Sequence, residues 1–262
     1  MNDVITIGVD LAKNVFQIHG VDAEGAVIVR RQLRRRQMPP FFKKQPSCLV
    51  GIEACATSHH WARQLVELGH QVKLMPPRYV KPYVKRNKND MADAEAICEA
   101  VTRPTMRFVA IKTEEQQSVL MLHRTRQLFV RQRTTIINAL RAHLAELGII
   151  AGIGRNGLER LLDVIADDED ERVPPTARDC LLALRVQLEL VKQQILEADR
   201  RVLAWHRASE ASLRLDDIPG VGPLIASALV ASVPDPHAFK SGRDLSAWIG
   251  LVPKQNSTGG KE

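Results

Sequence analysis

The sequence is short of cysteine and aromatic residues and has no long apolar run, and each shortage narrows what the chain can be. Its four cysteines, Cys48, Cys55, Cys98 and Cys180, lie far apart, without the paired spacing that a zinc site or disulfide framework needs. They are expected to be reduced core residues of a cytoplasmic protein. The best apolar stretch, Leu224 to Val233, is far shorter than a membrane span, and the first fifteen residues carry Asp3 and Asp10. Neither a membrane segment nor a secretion signal is therefore expected. Aromatic residues make up only 4% of the chain, a poor basis for stacking the bases of a single strand.

Carboxylates are also missing wherever basic residues gather. Net charge is +7 over 262 residues. The stretch 30–44 holds Arg30, Arg31, Arg34, Arg35, Arg36, Lys43 and Lys44 with no acid. A second acid-free cluster, Arg78, Lys81, Lys85, Arg86 and Lys88, runs straight into Asp90. The third is a helical stretch from Gln116 to Ala145 carrying Arg124, Arg126, Arg131, Arg133 and Arg141. One such run is an ordinary solvated face. Three in a basic chain favour contact with a polyphosphate backbone, in duplex DNA or folded RNA.

Along the chain, Val4 to Asp10 is a nearly continuous apolar β-former, as in a strand buried on both faces. Val15 to Val21 and Ala26 to Leu33 follow, joined by the turn cluster Asp22–Gly25. Cys48–Glu53 predicts a fourth strand, Ser58–Leu68 a helix, Gln71–Met75 a fifth strand and Asp90–Val101 a helix. Three consecutive antiparallel strands followed by alternating strands and helices is the RNase H-like plan, an α/β fold. From Thr113 to Leu147 the period becomes helical, with Gly148 as a stop. After an acidic loop and Pro174–Pro175, Leu181, Leu184, Leu188, Val191, Ile195, Ala198, Val202 and Trp205 form a heptad seam, the mark of a coiled coil. Its partner is either the 113–147 helix folded back or the same helix of another subunit. Ile218-Pro-Gly-Val-Gly-Pro-Leu matches a helix-hairpin-helix, whose Gly220/Gly222 turn presents backbone N–H groups to a DNA phosphate; a plain turn between packed helices is the alternative. The expected domains are 1–112 (nuclease), 113–210 (coiled-coil helices) and 211–262 (a C-terminal helical domain).

Four acids stand out by position. Asp10 closes the first strand, Glu53 the fourth, and Asp90 and Asp93 lie three apart on one helix. If these carboxylates converge they repel strongly unless cations lie between them. Hard oxygen ligands with room for water select Mg²⁺, for which Mn²⁺ can substitute. Two such ions stabilise the attacking and leaving oxygens of a phosphodiester displacement. His59 and His60 follow Glu53 closely but open a helix, where a surface or core role is the more common one.

At this point a family resemblance becomes specific. Gly8-Val-Asp-Leu-Ala-Lys13, Gly51-Ile-Glu-Ala-Cys55, Lys88-Asn-Asp-Met-Ala-Asp-Ala94 and the segment from Gly250 to Lys261 resemble the marker motifs of the DEDD insertion-sequence transposases. The resemblance spans essentially the whole chain. It implies a RuvC-like nuclease domain with its acidic tetrad on Asp10, Glu53, Asp90 and Asp93, a coiled-coil region, and a C-terminal transposase domain with an essential serine. It also implies DNA element ends and target as substrates, a structured guide RNA, and dimers that pair into tetramers. The serine falls on Ser257 in the Gly-rich Ser-Thr-Gly-Gly segment, whereas Ser241 is accounted for as a helix cap. The family pattern continues beyond the serine motif, so the C-terminal domain is expected to be truncated at Glu262. A junction resolvase using water in place of serine, or a non-catalytic nucleic-acid scaffold, are the rival readings. The coincidence of four acids with basic flanks argues against the scaffold.

Overall fold

Five strands form one sheet in the computed structural model, which describes residues 3–85 and 90–252, the side chain of Asp90 excepted. β1 (Thr6–Leu11), β2 (Val15–Val21) and β3 (Val27–Arg34) run antiparallel in sequence; β4 (Leu49–Glu53) and β5 (Gln71–Met75) add in parallel on the other side of β1. The order is therefore β3-β2-β1-β4-β5. Asp22 shapes the second hairpin, its Oδ1 accepting from the N–H groups of Glu24 (3.1 Å) and Ala26 (2.8 Å). All five predicted strands are present within a residue or two of their expected ends. The mixed α/β architecture is compatible with a nuclease-like domain.

The two faces of β1 and β4 differ in kind. Ile7, Val9, Val50 and Ile52 point into a core closed by Phe16, Met38, Phe42, Trp61 and Leu65. Two helices cover that face: α1 (Met38–Phe42), a single turn started by Pro39–Pro40, and α2 (Ser58–Glu67). The alternate positions are Gly8 and Gly51, as the two-residue period of a strand requires. After the short α3 (Pro77–Val80), α4 (Asp90–Val101) lies on this glycine face. A Cβ on Gly8 would stand 2.2 Å from the carbonyl oxygen of Ala94 and 2.5 Å from the amide nitrogen of Cys98; one on Gly51 would stand 2.8 Å from Cβ of Val101. The Cys98 thiol donates to the Thr6 carbonyl (3.7 Å), and Ile97, Ala100 and Val101 pack with Met75 and Val80.

The chain divides into two compact units, Met1–Thr113 with Val233–Glu262, and Glu114–Ser232. The second contains α5 (Glu114–Glu146), α6 (Arg155–Ala166), α7 (Pro175–Ala208), α8 (Glu210–Asp216) and α9 (Pro223–Ser232). α8 and α9 group with the long helices in this division. The heptad seam is closed within one chain. Leu181, Leu188, Val191 and Ile195 are buried with Ile136, Leu140 and Leu144 of α5 and with Leu158, Leu161 and Ile165 of α6; Ala198 and Val202 are buried further along. Arg178 holds the end of α6: its guanidinium donates to the carbonyls of Val164, Ile165, Asp167, Asp170 and Val173, satisfying acceptors that the helix itself leaves open. The last described helix, α10 (Gly242–Trp248), is capped by Ser241, which accepts from the Asp244 N–H (3.3 Å).

Gly8→Ala has no soft neighbour to displace, because the obstructing atoms are helix backbone. It should lower the stability of the sheet by about 3 kcal/mol, whereas Gly25→Ala, in open space at φ +83°, should cost only about 1 kcal/mol of backbone strain. Hydrogen exchange at the β1 and β4 amides measures both. Equal losses would show that α4 is free to lift from the sheet.

Candidate active site

Asp10 and Glu53 lie on the α4 face of the sheet, each two residues beyond the glycine that admits the helix. β1 and β4 are parallel neighbours in the register Gly8↔Gly51 and Val9↔Ile52, so one further step sets Asp10 beside Glu53. Both are half-buried. Along α4, Cys98 reaches Thr6 and Gly8, and Ala94 meets Gly8. Helix number falls as strand number rises. Four residues of helix rise about 6 Å and two residues of strand about 6.6 Å, so the first turn of α4 arrives at the level of Asp10. That turn carries Asp90 and the half-buried Asp93. The Cys55 thiol, in the loop after Glu53, is pushed up from its ordinary pKa by desolvation and then by the carboxylates of Glu53 and Asp10. Among the described residues no group of three His, Cys, Asp or Glu side chains is arranged to hold a metal ion. The side chain of Asp90 is outside them.

The loop leaving Glu53 is tightly bonded. Ala54 N–H donates to Met75 O (2.8 Å), Cys55 N–H to Glu53 O (2.8 Å), and Ser58 Oγ to Cys55 O (2.8 Å). Thr57 sits at φ +70°, a conformation that costs a β-branched residue on the order of 1–3 kcal/mol and recurs where a loop is over-determined around a site. His59, half-buried at the start of α2, makes a hydrogen bond to the backbone of a neighbouring segment. Its Nδ1 accepts the N–H of Lys112 (3.2 Å), while Arg63 donates to the Lys112 carbonyl (2.8 Å). The two bonds tie α2 to the segment before α5.

The basic residues separate into engaged and free groups. On α5, Arg124 and Arg131 are exposed and Arg133 is half-buried, but Arg126 is ion-paired to Asp199 of α7, and Arg141 donates to the carbonyls of Ala151 (3.2 Å) and Gly152 (3.0 Å). Lys85 pairs with Glu95. Gly220, at φ +87°, and Gly222 lie in the α8–α9 turn with nothing within 4 Å of an added Cβ. The carbonyl of Gly222 accepts from Ile225 and Ala226 (2.9 Å each), starting α9. Arg86, Lys88 and Ser257 lie outside the described residues. No sequence pattern singled out the buried His19, which shares a cavity with Arg30 and Glu95. Its only signal was a polar residue on the strand face that carries Gly8.

Burial, with the charges of Lys112 and Arg63, lowers the pKa of His59 to about 4 from 6.5. Between those values the unfolded chain binds a proton that the folded chain refuses, so this contribution to stability is complete above pH 6.5 and is lost as pH falls towards 4. His59→Gln, which keeps an acceptor but does not titrate, should flatten the pH dependence of α2 amide protection over that interval. Identical slopes in both proteins would remove His59 from the account.

With the geometry in place, comparison with known proteins is direct. A family model described as "Transposase" matches residues 7–149, and one described as "Transposase IS116/IS110/IS902 family" matches residues 212–262. A relative from Sinorhizobium fredii that carries a transposase name is 49% identical over 261 residues, which is 100% of this chain and 67% of the relative. The transposase for insertion sequence element IS1328 of Yersinia enterocolitica is 42% identical over 261 residues, covering 100% of this chain and 77% of the relative. The transposase for insertion sequence element IS1111A of Coxiella burnetii is 40% identical over 262 residues, covering 100% and 72%. The chain belongs to the IS116/IS110/IS902 family of insertion-sequence transposases.

Proposed function

We propose that the chain cuts and rejoins DNA strands at insertion-sequence ends through a RuvC-like acidic site and a serine nucleophile. The observation that carries this reading is the placement of Asp10 and Glu53 side by side on the one sheet face to which the glycine contacts draw the first turn of α4. Asp10, Glu53, Asp90 and Asp93 are the residues that would hold Mg²⁺ or Mn²⁺; all are hard oxygen donors. Bound there, the metal supplies charge stabilisation for a phosphodiester displacement. Ser257 attacks the phosphorus, one phosphoester bond replaces another, and the departing DNA oxygen takes up a proton as a free hydroxyl. Because the phosphodiester energy is kept in the serine ester, the ends can be rejoined without an external energy source.

The free cations serve the DNA backbone in this reading. These are Arg124, Arg131 and Arg133 on α5; Arg126 joins them once released from Asp199 and Lys85 once released from Glu95, and Arg86 and Lys88, outside the described residues, are assigned the same role from the sequence. The Gly220/Gly222 turn offers backbone N–H groups in the manner of a helix-hairpin-helix. A structured guide RNA and assembly into dimers or tetramers complete the scheme. Among the described residues no helix is long and apolar enough to cross a membrane.

The test is a denaturing gel of the chain incubated with labelled element-end DNA and Mg²⁺. The unaltered chain should give a covalent adduct. Ser257→Ala should bind DNA and give none. Asp10→Ala and Glu53→Ala should lower adduct formation by at least about a hundredfold, the loss of several kcal/mol of transition-state stabilisation, and chelation should do the same. An adduct surviving in Ser257→Ala would overturn the serine assignment. Cleavage without any adduct would point to water as the nucleophile, as in a resolvase.

A further inference from the structure

Beside the acids, on the same face of the sheet, lies a cavity of about 140 Å³ lined by Ile18, His19, Arg30, Met91, Ala92 and Glu95. His19 and Arg30 face each other across the β2–β3 pair, and His19 also lies opposite Gly8 of β1. His19 is only 5% exposed and lines this cavity; among the described residues Trp61 Nε1 is the fully enclosed side-chain polar atom without a partner, so the imidazole nitrogens open onto the cavity. An imidazole always has a ring nitrogen that donates. That donor borders a space with room for several waters or one tetrahedral oxyanion.

The charges at the mouth decide the sign of that partner. Arg30 and Lys85, with side chains 54% and 77% exposed, both pair with Glu95, Arg30 loosely at 3.7 Å. Two cations share one carboxylate, so the group keeps a net positive charge. Burial lowers the His19 pKa in opposition to Glu95, with Arg30 and Lys85 adding to the lowering, so the ring meets its ligand as a neutral donor. A metal would find only one imidazole and an already paired carboxylate. An oxyanion would find an N–H on the floor and a guanidinium fork at the rim.

We infer that the His19–Arg30–Lys85 cavity is a phosphate pocket for the nucleic-acid backbone, gripping a phosphodiester next to the one presented to the acids. The spacing supports this. His19 lies one strand over from Asp10 and two residues along, offsets of about 4.8 Å and about 6.6 Å that put the two positions about 8 Å apart, within reach of the phosphate that follows one presented to the acids. Glu95 holds the two cations in place while the pocket is empty and yields them to the phosphate when the strand arrives. The pocket rests on the nuclease reading for its strand, but its phosphate chemistry is independent of cleavage.

The experiment follows the His19 imidazole nitrogens by NMR in the full chain labelled at histidine, without metal, during titration with dimethyl phosphate, with sodium chloride at equal ionic strength, and with a non-specific DNA duplex. Dimethyl phosphate and DNA should move the His19 signals and chloride should not. Arg30→Gln, an exposed change that leaves the core intact, should weaken the dimethyl phosphate response about tenfold, and His19→Asn should weaken DNA binding while retaining the fold. A His19 ring that ignores dimethyl phosphate, or an Arg30→Gln protein with undiminished response, would overturn the pocket and leave bound water as the partner of the imidazole. Asp10→Ala should leave the response unchanged, so a failure of the acidic site and a failure of the pocket give different results.

Discussion

Two missing side chains govern the geometry of the first unit. Because Gly8 and Gly51 have no Cβ, α4 packs with its backbone almost against the sheet, at distances that any other residue would forbid. The contact sets depth and level together. A helix standing off by one methyl layer would lift the first turn of α4 away from the sheet face that carries Asp10 and Glu53, and the proposed metal site depends on that approach, since ligand distances for a hard divalent cation vary by only tenths of an ångström. The same contact forms the floor of the His19 cavity, because the residues of α4 that close it lie one helical turn around from those that touch Gly8. The proposed acidic site and the cavity both depend on this packing arrangement.

The second unit uses its charges differently. Its long helices are joined by an apolar seam that needs no ionic help, yet several arginines are structural. Arg178 replaces water as the partner of five carbonyls, Arg126 is paired with Asp199, and Arg141 ties its helix to the following loop. What remains for a polyphosphate is a narrower set, led by Arg124 and Arg131, than an acid-free helix suggests. His206 shows how the seam ends: it is buried where Trp205 was expected, its Nδ1 2.8 Å from Ser212 Oγ, while Trp205 turns outward to Glu115 (3.0 Å).

Much of this was legible in the residues. Strand-forming runs ended by Asp10 and Glu53, and the pattern from Asp90 to Val101, located the sheet and α4 because two-residue and helical periods are local properties. The seam residues were legible for the same reason, while their partner was not: an apolar stripe records that something covers it and is silent on what does. α1 and α6 went unforeseen. α1 is a single turn built on Pro39–Pro40, and α6 follows Gly154 at φ +101° with no side-chain cap, so its start reads as loop. The ion pair of Arg126 joins residues 73 apart in the chain, and the group around His19 draws on two strands, a helix and a loop. Contacts of that kind are products of topology and have no local signal.

The claim at the centre of this account is that Asp10, Glu53 and the first turn of α4 act as one divalent-metal site because the glycine face brings them to one level. Paramagnetic broadening by Mn²⁺ reads this directly in the labelled full chain. The account predicts that the amides of Asp10, Glu53 and Asp93 broaden together at a single Mn²⁺ concentration, and that Asp10→Asn shifts all three to higher concentration in step. Broadening at separate concentrations, or at Asp93 alone, would contradict it.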